Sequence, residues 1–498
     1  MATVLIIGNG GREHAIAWKM CQSPSVSKII LVPGNAGTLS LNGYANTHVE
    51  NKWLDIENGF KSLVTYCKSI KVDLVCVGPE KPLADGIVDI LCDSGIPCFG
   101  PTRDAAQIES SKSFAKEFMT RHNIPTASYQ IFDDYEDAIQ YVQTVNPKDI
   151  VIKASGLAGG KGVFLPSSFE EAQDSLHDIM IAKTVCTCDD SSVVVEDRLH
   201  GSELSVFAIS DGYTVRMLPV AQDHKRLLDG DEGPNTGGMG AISPAPILQE
   251  NTRLLSTIVS KIIQPTIDGL RREQTPFVGI LFAGIMLDEQ THEPYVLEFN
   301  ARFGDPETQV IIGLLGSLDL FKVSHAAVNH YLDAMEFPTS WNGCAAGVVI
   351  AGDWYQTNKQ IPIPNPTVFI DEEHVSETKD DHISIFHSGT KRDPNDLNKI
   401  VACGGGRIAC VTAVSATMHD ALNAVYEFID AGRISMDHMH FRHDIGRHDI
   451  AGSGWYLDNS SVCKPVYAQC GVDIDAGNDA VRRMKHFVHD TYNSQVLS

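Results

Sequence analysis

Positive charge is scarce in this sequence: 39 lysines and arginines stand against 63 aspartates and glutamates, a formal charge of −24. Nucleic-acid-binding surfaces need a basic face, so that class of partner is excluded. Long apolar runs are missing too. None approaches the ~20 residues that a membrane-crossing helix needs, so no membrane association is expected. The N-terminus, MATVLIIGNGG, has no basic segment before its short apolar stretch at residues 4–7, which reads as a strand rather than a secretory leader. The twelve cysteines are scattered, and the nearest pair, Cys186 and Cys188, has no second pair at metal-ligand spacing. Reduced thiols in a cytoplasmic protein fit that pattern better than a zinc site.

Two motif residues are absent as well. The stretch 151–162, VIKASGLAGGKG, lacks the Ser or Thr that follows Gly-Lys in a Walker loop, because Gly162 follows Lys161. The opening GNGGREHA lacks the third glycine of a dinucleotide fingerprint, because Glu13 stands in its place. A nicotinamide site at this loop is therefore the weaker reading, and a sugar phosphate suits it better.

What is present begins with that glycine-rich stretch. An apolar strand at 150–152 runs into Lys153 and then into a loop holding Gly156, Gly159, Gly160, Lys161 and Gly162. Glycine lets backbone N–H groups approach an anion closely and lysine adds mobile charge, so the loop can cradle phosphate; an ordinary surface turn is the alternative. With 498 residues, the chain has room for roughly three domains with cores of their own. Strand, glycine turn and helix alternate up to about residue 100, which predicts a doubly wound parallel sheet with its ligand at the carboxyl ends of the strands. Residues 104–122 have the spacing of one helix, on which Lys112 and Lys116 lie four apart. Spacing alone reads them as a solvated face.

Further on, residues 193–197 (VVVED) form an apolar strand ending in Glu196 and Asp197. Acids there can accept from an adenine amino group or ribose hydroxyls, or simply be solvated. From residue 222, QDHKRLLDGDEGPNTGGMGAISPAP shows neither helical nor strand period and reads as a long ordered loop. A buried strand at 279–287 is followed by its hairpin partner at 295–300, in which Glu298 and Asn300 point to one face. A carboxylate and an amide oxygen side by side are hard ligands suited to magnesium or manganese, a better account of a buried acid than a salt bridge. Strands at 346–350 and 407–413 and a helix near 419–430 form a last α/β piece. The histidines between His438 and His448 match no zinc spacing.

Taken in order, the glycine loop, the 193–197 strand and the EFNARFGDPE hairpin resemble the ATP-grasp ligases. GNGGREHA, PGNAGT, GPEKPLADG, FGPT, ESSKSFAKEFM, QDHKR, GPNTGGMGA and EFNARFGDPET narrow the resemblance to the glycinamide ribonucleotide synthetases over about residues 1–447. The resemblance implies an N-terminal doubly wound parallel sheet (1–103), a central ATP-grasp fold (104–330, lid about 125–195) and a smaller C-terminal α/β domain (331–448). The fold class is thus α/β and α+β. It also implies a monomeric cytoplasmic ligase for purine biosynthesis, joining glycine to 5-phosphoribosylamine with ATP and Mg2+ or Mn2+, through a glycyl phosphate.

By the same resemblance, Lys112 and Lys153 contact the ATP phosphates, with Gly159, Gly160, Lys161 and Gly162 closing over them. Glu196, Asp197 and Leu199 edge the adenine and Glu203 holds the ribose. Glu298 and Asn300 take the metal, and Arg302 balances charge on the transferring phosphate. Asp223, Lys225, Asn235, Thr236, Gly237 and Gly238 form the glycine and phosphoribosylamine region, with Arg302, Lys225 and Asp223 catalytic. Gly10, Gly11, Asn35, Gly37, Thr38 and Glu80 receive the ribose phosphate. The family loop GLAAGKG has Gly159 in place of an alanine here, Asp197 and Ser202 replace glutamates, and Ala301 replaces a cysteine; none removes a group that the chemistry needs. Residues 449–498, with GVDIDAGN, resemble the opening of an aminoimidazole ribonucleotide synthetase, the next domain in multifunctional purine enzymes. A non-catalytic nucleotide-binding regulator of the same fold is the rival reading, against which the intact Lys153, Glu298, Asn300 and Arg302 argue.

Overall fold

The computed structural model describes residues 1–447 apart from 57, 186–189, 252, 339, 356–360, 363 and 372–381. Cys186, Cys188, His448 and the 449–498 tail lie outside the described residues. No helix among those described is long and apolar enough to cross a membrane.

The N-terminal sheet is parallel, in the order His48–Asn51, Val26–Pro33, Ala2–Gly8, Leu74–Val77, Cys98–Phe99. Strand Ala2–Gly8 buries both faces: Leu5 and Ile7 join one apolar cluster and Val4 and Ile6 another. A parallel sheet covered on both sides requires that. The chain leaves this strand toward one edge and returns to the other, so its carboxyl end is the switch point where a crevice opens. Glu13 fills part of that crevice. Its carboxylate accepts from the Gly10 N–H at 2.6 Å and from Arg12 Nε at 2.7 Å. A Cβ added at Gly78 would overlap it. The Glu13 side chain thus packs where a dinucleotide fold keeps its third glycine, which weighs against the nicotinamide reading.

The predicted helix over 104–122 is two helices, Arg103–Ser110 and Lys112–Arg121. Ser111 between them is extended, with φ −136° and ψ 109°, and its side chain accepts from Phe114 N to cap the second helix. Lys112 therefore sits in a first helical turn, its N–H bonded to the Ser155 carbonyl.

Two antiparallel sheets follow. The smaller runs Tyr129–Phe132, Val193–Asp197, Ile150–Ala154, Val163–Phe164, and helices Tyr135–Val142 and Phe169–Met180 cover its apolar face. The larger runs Val215–Met217, Gly201–Asp211, Val278–Asp288, Pro294–Asn300. The predicted hairpin is its last pair, with Gly284 opposite Glu298 and Phe282 opposite Asn300.

Residues 222–246 are not the strandless loop that their composition predicts. Gln222–Asp223 and Gly240–Ser243 pair with each other, and Gly240–Ser243 pairs with Cys344–Gly352. The rest of that sheet is Arg407–Ser415, His382–His387 and Met439–His440, with helix Met418–Asp430 packed on it. These strands are two to four residues of small and polar types, too short to show an alternating period. Gly240–Ser243 finds its inner partner about a hundred residues away, and Gln222–Asp223 pairs onto it as an edge strand, so the C-terminal sheet carries Asp223.

Candidate active site

Lys153 leaves strand Ile150–Ala154 toward the facing sheet and donates to the Leu297 carbonyl at 3.0 Å. The same ammonium stands 2.5 Å from Glu196 Oε1, and Lys116 stands 2.5 Å from Glu196 Oε2. All three side chains are buried. The solvated-face reading of Lys116 is thus corrected: the break at Ser111 turns the helix so that this lysine points inward. Burial works against ionisation of Glu196, but Lys153 and Lys116 override it and hold the carboxyl below its usual range. For Lys116 burial wins over Glu196, and its ammonium is pulled down to about 8. Asp197, one residue on, is exposed, and Leu199 is half-buried.

Glu298 is the centre of the cluster. Lys112 Nζ lies 3.5 Å from its Oε2. Glu298 is half-buried, its side chain 32% exposed, not the fully buried acid that the strand pattern predicts. Partial desolvation tends to raise its carboxyl, yet Lys112, Lys225, Lys153 and Arg302 together hold it at about 2. Lys225 is ion-paired to Glu203, so the expected ribose acid has a cationic partner of its own. Despite burial, Glu203, Glu298 and Asp223 keep the Lys225 ammonium firmly charged. Arg302 bridges Glu80 at 3.3 Å and Glu109 at 2.9 Å, and Glu109 also accepts from the Ala301 N–H at 2.7 Å. Arg12 reaches Glu80 at 3.2 Å and the Phe303 carbonyl at 3.3 Å. Glu80 is held at about 2 because Arg302 and Arg12 outweigh burial. The N-terminal loops and the hairpin are therefore joined through one acid and two arginines.

Asp223 faces the same region from the C-terminal sheet. Its Oδ1 is buried without a hydrogen-bond partner, and a Cβ at Gly238 would press on that atom at 2.7 Å. Burial, then the neighbouring Glu307, raises the Asp223 carboxyl well above the usual range. Burial also raises Glu307, which accepts from Ser205 Oγ at 3.1 Å. Arg407 donates to the carbonyls of Gly237 and Asp305, each at 2.7 Å, and Tyr355 OH accepts from Gly237 N at 2.9 Å. The Thr236 hydroxyl donates to the Lys225 carbonyl and accepts from Gly238 N, while Asn235 is half-buried beside them.

The glycine loop projects outward: Gly159, Gly160 and Lys161 are exposed, and Gly159 and Gly160 have φ of +57° and +80°. An alanine at position 159 would be strained in that backbone. Gly162 is buried, and a Cβ there would meet Ala158 Cβ at 2.7 Å. The N-terminal residues divide in two. Gly10 and Gly11 open helix Gly11–Cys21 beside Asp305 and Gln309. Asn35 and Thr38 are buried, and Asn35 Nδ2 donates to the Asn9 and His387 carbonyls at 2.9 and 2.7 Å. Their side chains fix the loop, and Gly37 makes room for the His387 ring.

The residues present fit a divalent cation. Glu298 stays ionised, Asn300 on the same strand face can offer its amide oxygen, and a cation, Lys112, already lies beside Glu298. Two hard oxygen donors leave the other positions to phosphate oxygens and water, as magnesium and manganese prefer. Sequence reasoning missed Arg12, Glu109, Lys116, Glu307 and Arg407. Arg12, Glu109, Lys116 and Glu307 sat inside recognised motifs, where spacing alone reads Lys116 as a solvated face. Arg407, after the glycines 404–406, gave no signal at all.

Three family models match consecutive parts of the chain: the phosphoribosylglycinamide synthetase N domain over residues 2–109, its ATP-grasp (A) domain over 110–308 and its C domain over 345–448. A bifunctional purine biosynthetic protein of Schizosaccharomyces pombe is 44% identical over 98% of this chain and 58% of its own length. A trifunctional purine biosynthetic protein, adenosine-3, of Gallus gallus is 43% identical over 99% of this chain and 46% of its own. The chain thus spans about half the length of these relatives. The crystal structure of a phosphoribosylamine–glycine ligase from Thermotoga maritima superposes with a TM-score of 0.73 at 29% identity, covering 89% of this chain and all of that one. Biotin carboxylase from Campylobacter jejuni (TM-score 0.63, 15% identity, 88% of this chain and 92% of that one) shares the fold. Over residues 2–448 the chain belongs to the phosphoribosylglycinamide synthetase family, its ATP-grasp domain lying between the N and C domains.

Proposed function

We propose that this chain joins glycine to 5-phosphoribosylamine at the expense of ATP, giving glycinamide ribonucleotide, ADP and phosphate. The observation that carries the reading is the convergence of Lys112, Lys153, Lys225 and Arg302 on Glu298 in a chain of net charge −24. Such local positive charge suits a transferring phosphoryl group, for which positioning and charge neutralisation are most of catalysis. A carboxylate oxygen of glycine attacks the γ-phosphorus, the bond to ADP breaks, and a glycyl phosphate forms. The amine nitrogen then attacks the acyl carbon, the carbon–oxygen bond to phosphate breaks, and a proton leaves the nitrogen. Asp223, with its unbonded Oδ1, is the side chain assigned to the amine and its departing proton.

Lys112 and Lys153 are assigned to the nucleotide phosphates, under the loop of Gly159, Gly160, Lys161 and Gly162. Glu196, Asp197, Leu199 and Glu203 are assigned to its nucleoside. Glu298 and Asn300 would hold Mg2+ or Mn2+, which when bound would neutralise phosphate charge. Gly10, Gly11 and Glu80 are assigned to the ribose phosphate side, with Asn35, Gly37 and Thr38 shaping that loop. Lys225, Asn235, Thr236, Gly237 and Gly238 line the amine side. The domain bounds 1–103, 104–330 and 331–448 are part of the proposal, with strands Gln222–Asp223 and Gly240–Ser243 of the middle segment built into the C-terminal sheet. Glycine-dependent ADP release in the presence of freshly made phosphoribosylamine tests the reading. ADP release with another amino acid or amine instead would overturn the substrate assignment.

A further inference from the structure

Lys116 has no part in the assignments above, yet it is only 3% exposed. Besides Glu196, its ammonium contacts Thr126 Oγ1 at 2.5 Å and lies 5.7 Å from the centre of the Tyr129 ring. Thr126 in turn donates to the Val296 carbonyl at 2.8 Å, two residues before Glu298. One buried cation therefore ties helix Lys112–Arg121 to the acid of strand Val193–Asp197 and, through Thr126, to the strand carrying Glu298. Such a group is not there for stability alone, because burying a charge costs more than packing an apolar side chain of similar volume.

Glu196 has two lysines where one would neutralise it. The second becomes necessary if the first is called away. Lys153 is the one assigned to phosphate, and a carboxylate left buried without a cation would either retain Lys153 or take up a proton. An ionised carboxylate only accepts hydrogen bonds, so it favours the amino group of adenine and repels the carbonyl oxygen of guanine at the same place. We infer that Lys116 is a positioning residue for nucleotide recognition, holding Glu196 ionised and oriented toward the adenine amino group while Lys153 turns to the phosphates. This rests on the ATP reading above.

The test compares wild type with Lys116→Met, Lys116→Arg and Thr126→Val, measuring kcat and KM with ATP and with GTP, and the melting temperature of each variant. Lys116→Met should raise the KM for ATP about tenfold and cut the preference for ATP over GTP by a similar factor, with kcat at saturating ATP changed less than about threefold. Lys116→Arg should restore most of the preference. Thr126→Val keeps the charge and removes only its anchor, so it should shift the preference in the same direction by less. A purely structural lysine would lower the melting temperature and leave the ATP/GTP ratio alone, and an unchanged ratio in folded Lys116→Met and Thr126→Val overturns the role. If Lys116→Met does not fold, the ratio in Thr126→Val decides. Absence of ATP binding by wild type would overturn the nucleotide reading itself and this role with it. A wild-type ATP preference that the variants retain overturns the Lys116 role only.

Discussion

Lys112 Nζ stands 3.5 Å from Oε2 of Glu298, one residue opening a helix and the other near the end of a distant hairpin strand. The pair sets a cation beside the acid proposed to bind a metal, at the place where phosphate charge would gather.

Glu298→Ala should therefore lower ATP-dependent turnover by about 100-fold or more while the fold survives. Lys112 is 23% exposed at its side chain and can turn to water, and Lys225 keeps Glu203. Steady-state ADP release in saturating magnesium, with circular dichroism as the folding control, checks this; near-normal turnover would remove Glu298 from the metal site.

Asp223→Ala should spare ATP binding and impair the use of glycine and the amine. The residue lies on an edge strand of the C-terminal sheet, while the Lys153, Lys116 and Glu196 ion pairs join other elements. Calorimetric titration with ATP, beside kcat and the KM for glycine, separates the two effects. Equal loss of both would place Asp223 at the nucleotide.

Gly78→Ala forces a Cβ into the Glu13 carboxylate and should cost about 2 kcal/mol. Adding Glu13→Ala relieves the overlap, so the double variant should cost less than the sum of the two single changes. Strict additivity in urea denaturation would mean that Glu13 does not fill the crevice in solution.

Acid should loosen the junction between helix Gly11–Cys21 and the C-terminal sheet. The His14 ring accepts from the His387 N–H at 2.9 Å, and both rings are buried. Burial, helped by Arg392, lowers the His387 ring from about 6.5 to about 4, and burial lowers His14 as well. The unfolded chain takes up a proton below about 6.5 that folded His387 refuses until about 4. Stability is thus full above pH 6.5 and falls as pH drops toward 4, by up to about 3 kcal/mol from His387. The melting temperature followed from pH 7 to 4 should fall less steeply for His387→Asn than for wild type. Parallel slopes would show that His387 does not titrate with unfolding.

Sequence alone determined the parts whose signal is local. The N-terminal strand-turn-helix alternation, the 279–300 hairpin and the glycine loop are written in short-range periods and in glycine, and the order of motifs gave the family. The shared face of Glu298 and Asn300 follows from a strand period of two. The tertiary structure decided what depends on distant partners. Residues 222–246 have no period of their own, and Gly240–Ser243 becomes an inner strand because Cys344–Gly352 supplies the hydrogen bonds on its far side. Lys116 looks like any surface lysine until the break at Ser111 buries it against Glu196. Arg407 follows a featureless glycine run and finds Gly237 and Asp305 only in the fold. A side chain's type is local, but its ionisation and its partner depend on which charges the remote chain brings within a few ångströms, and that no spacing in the sequence encodes.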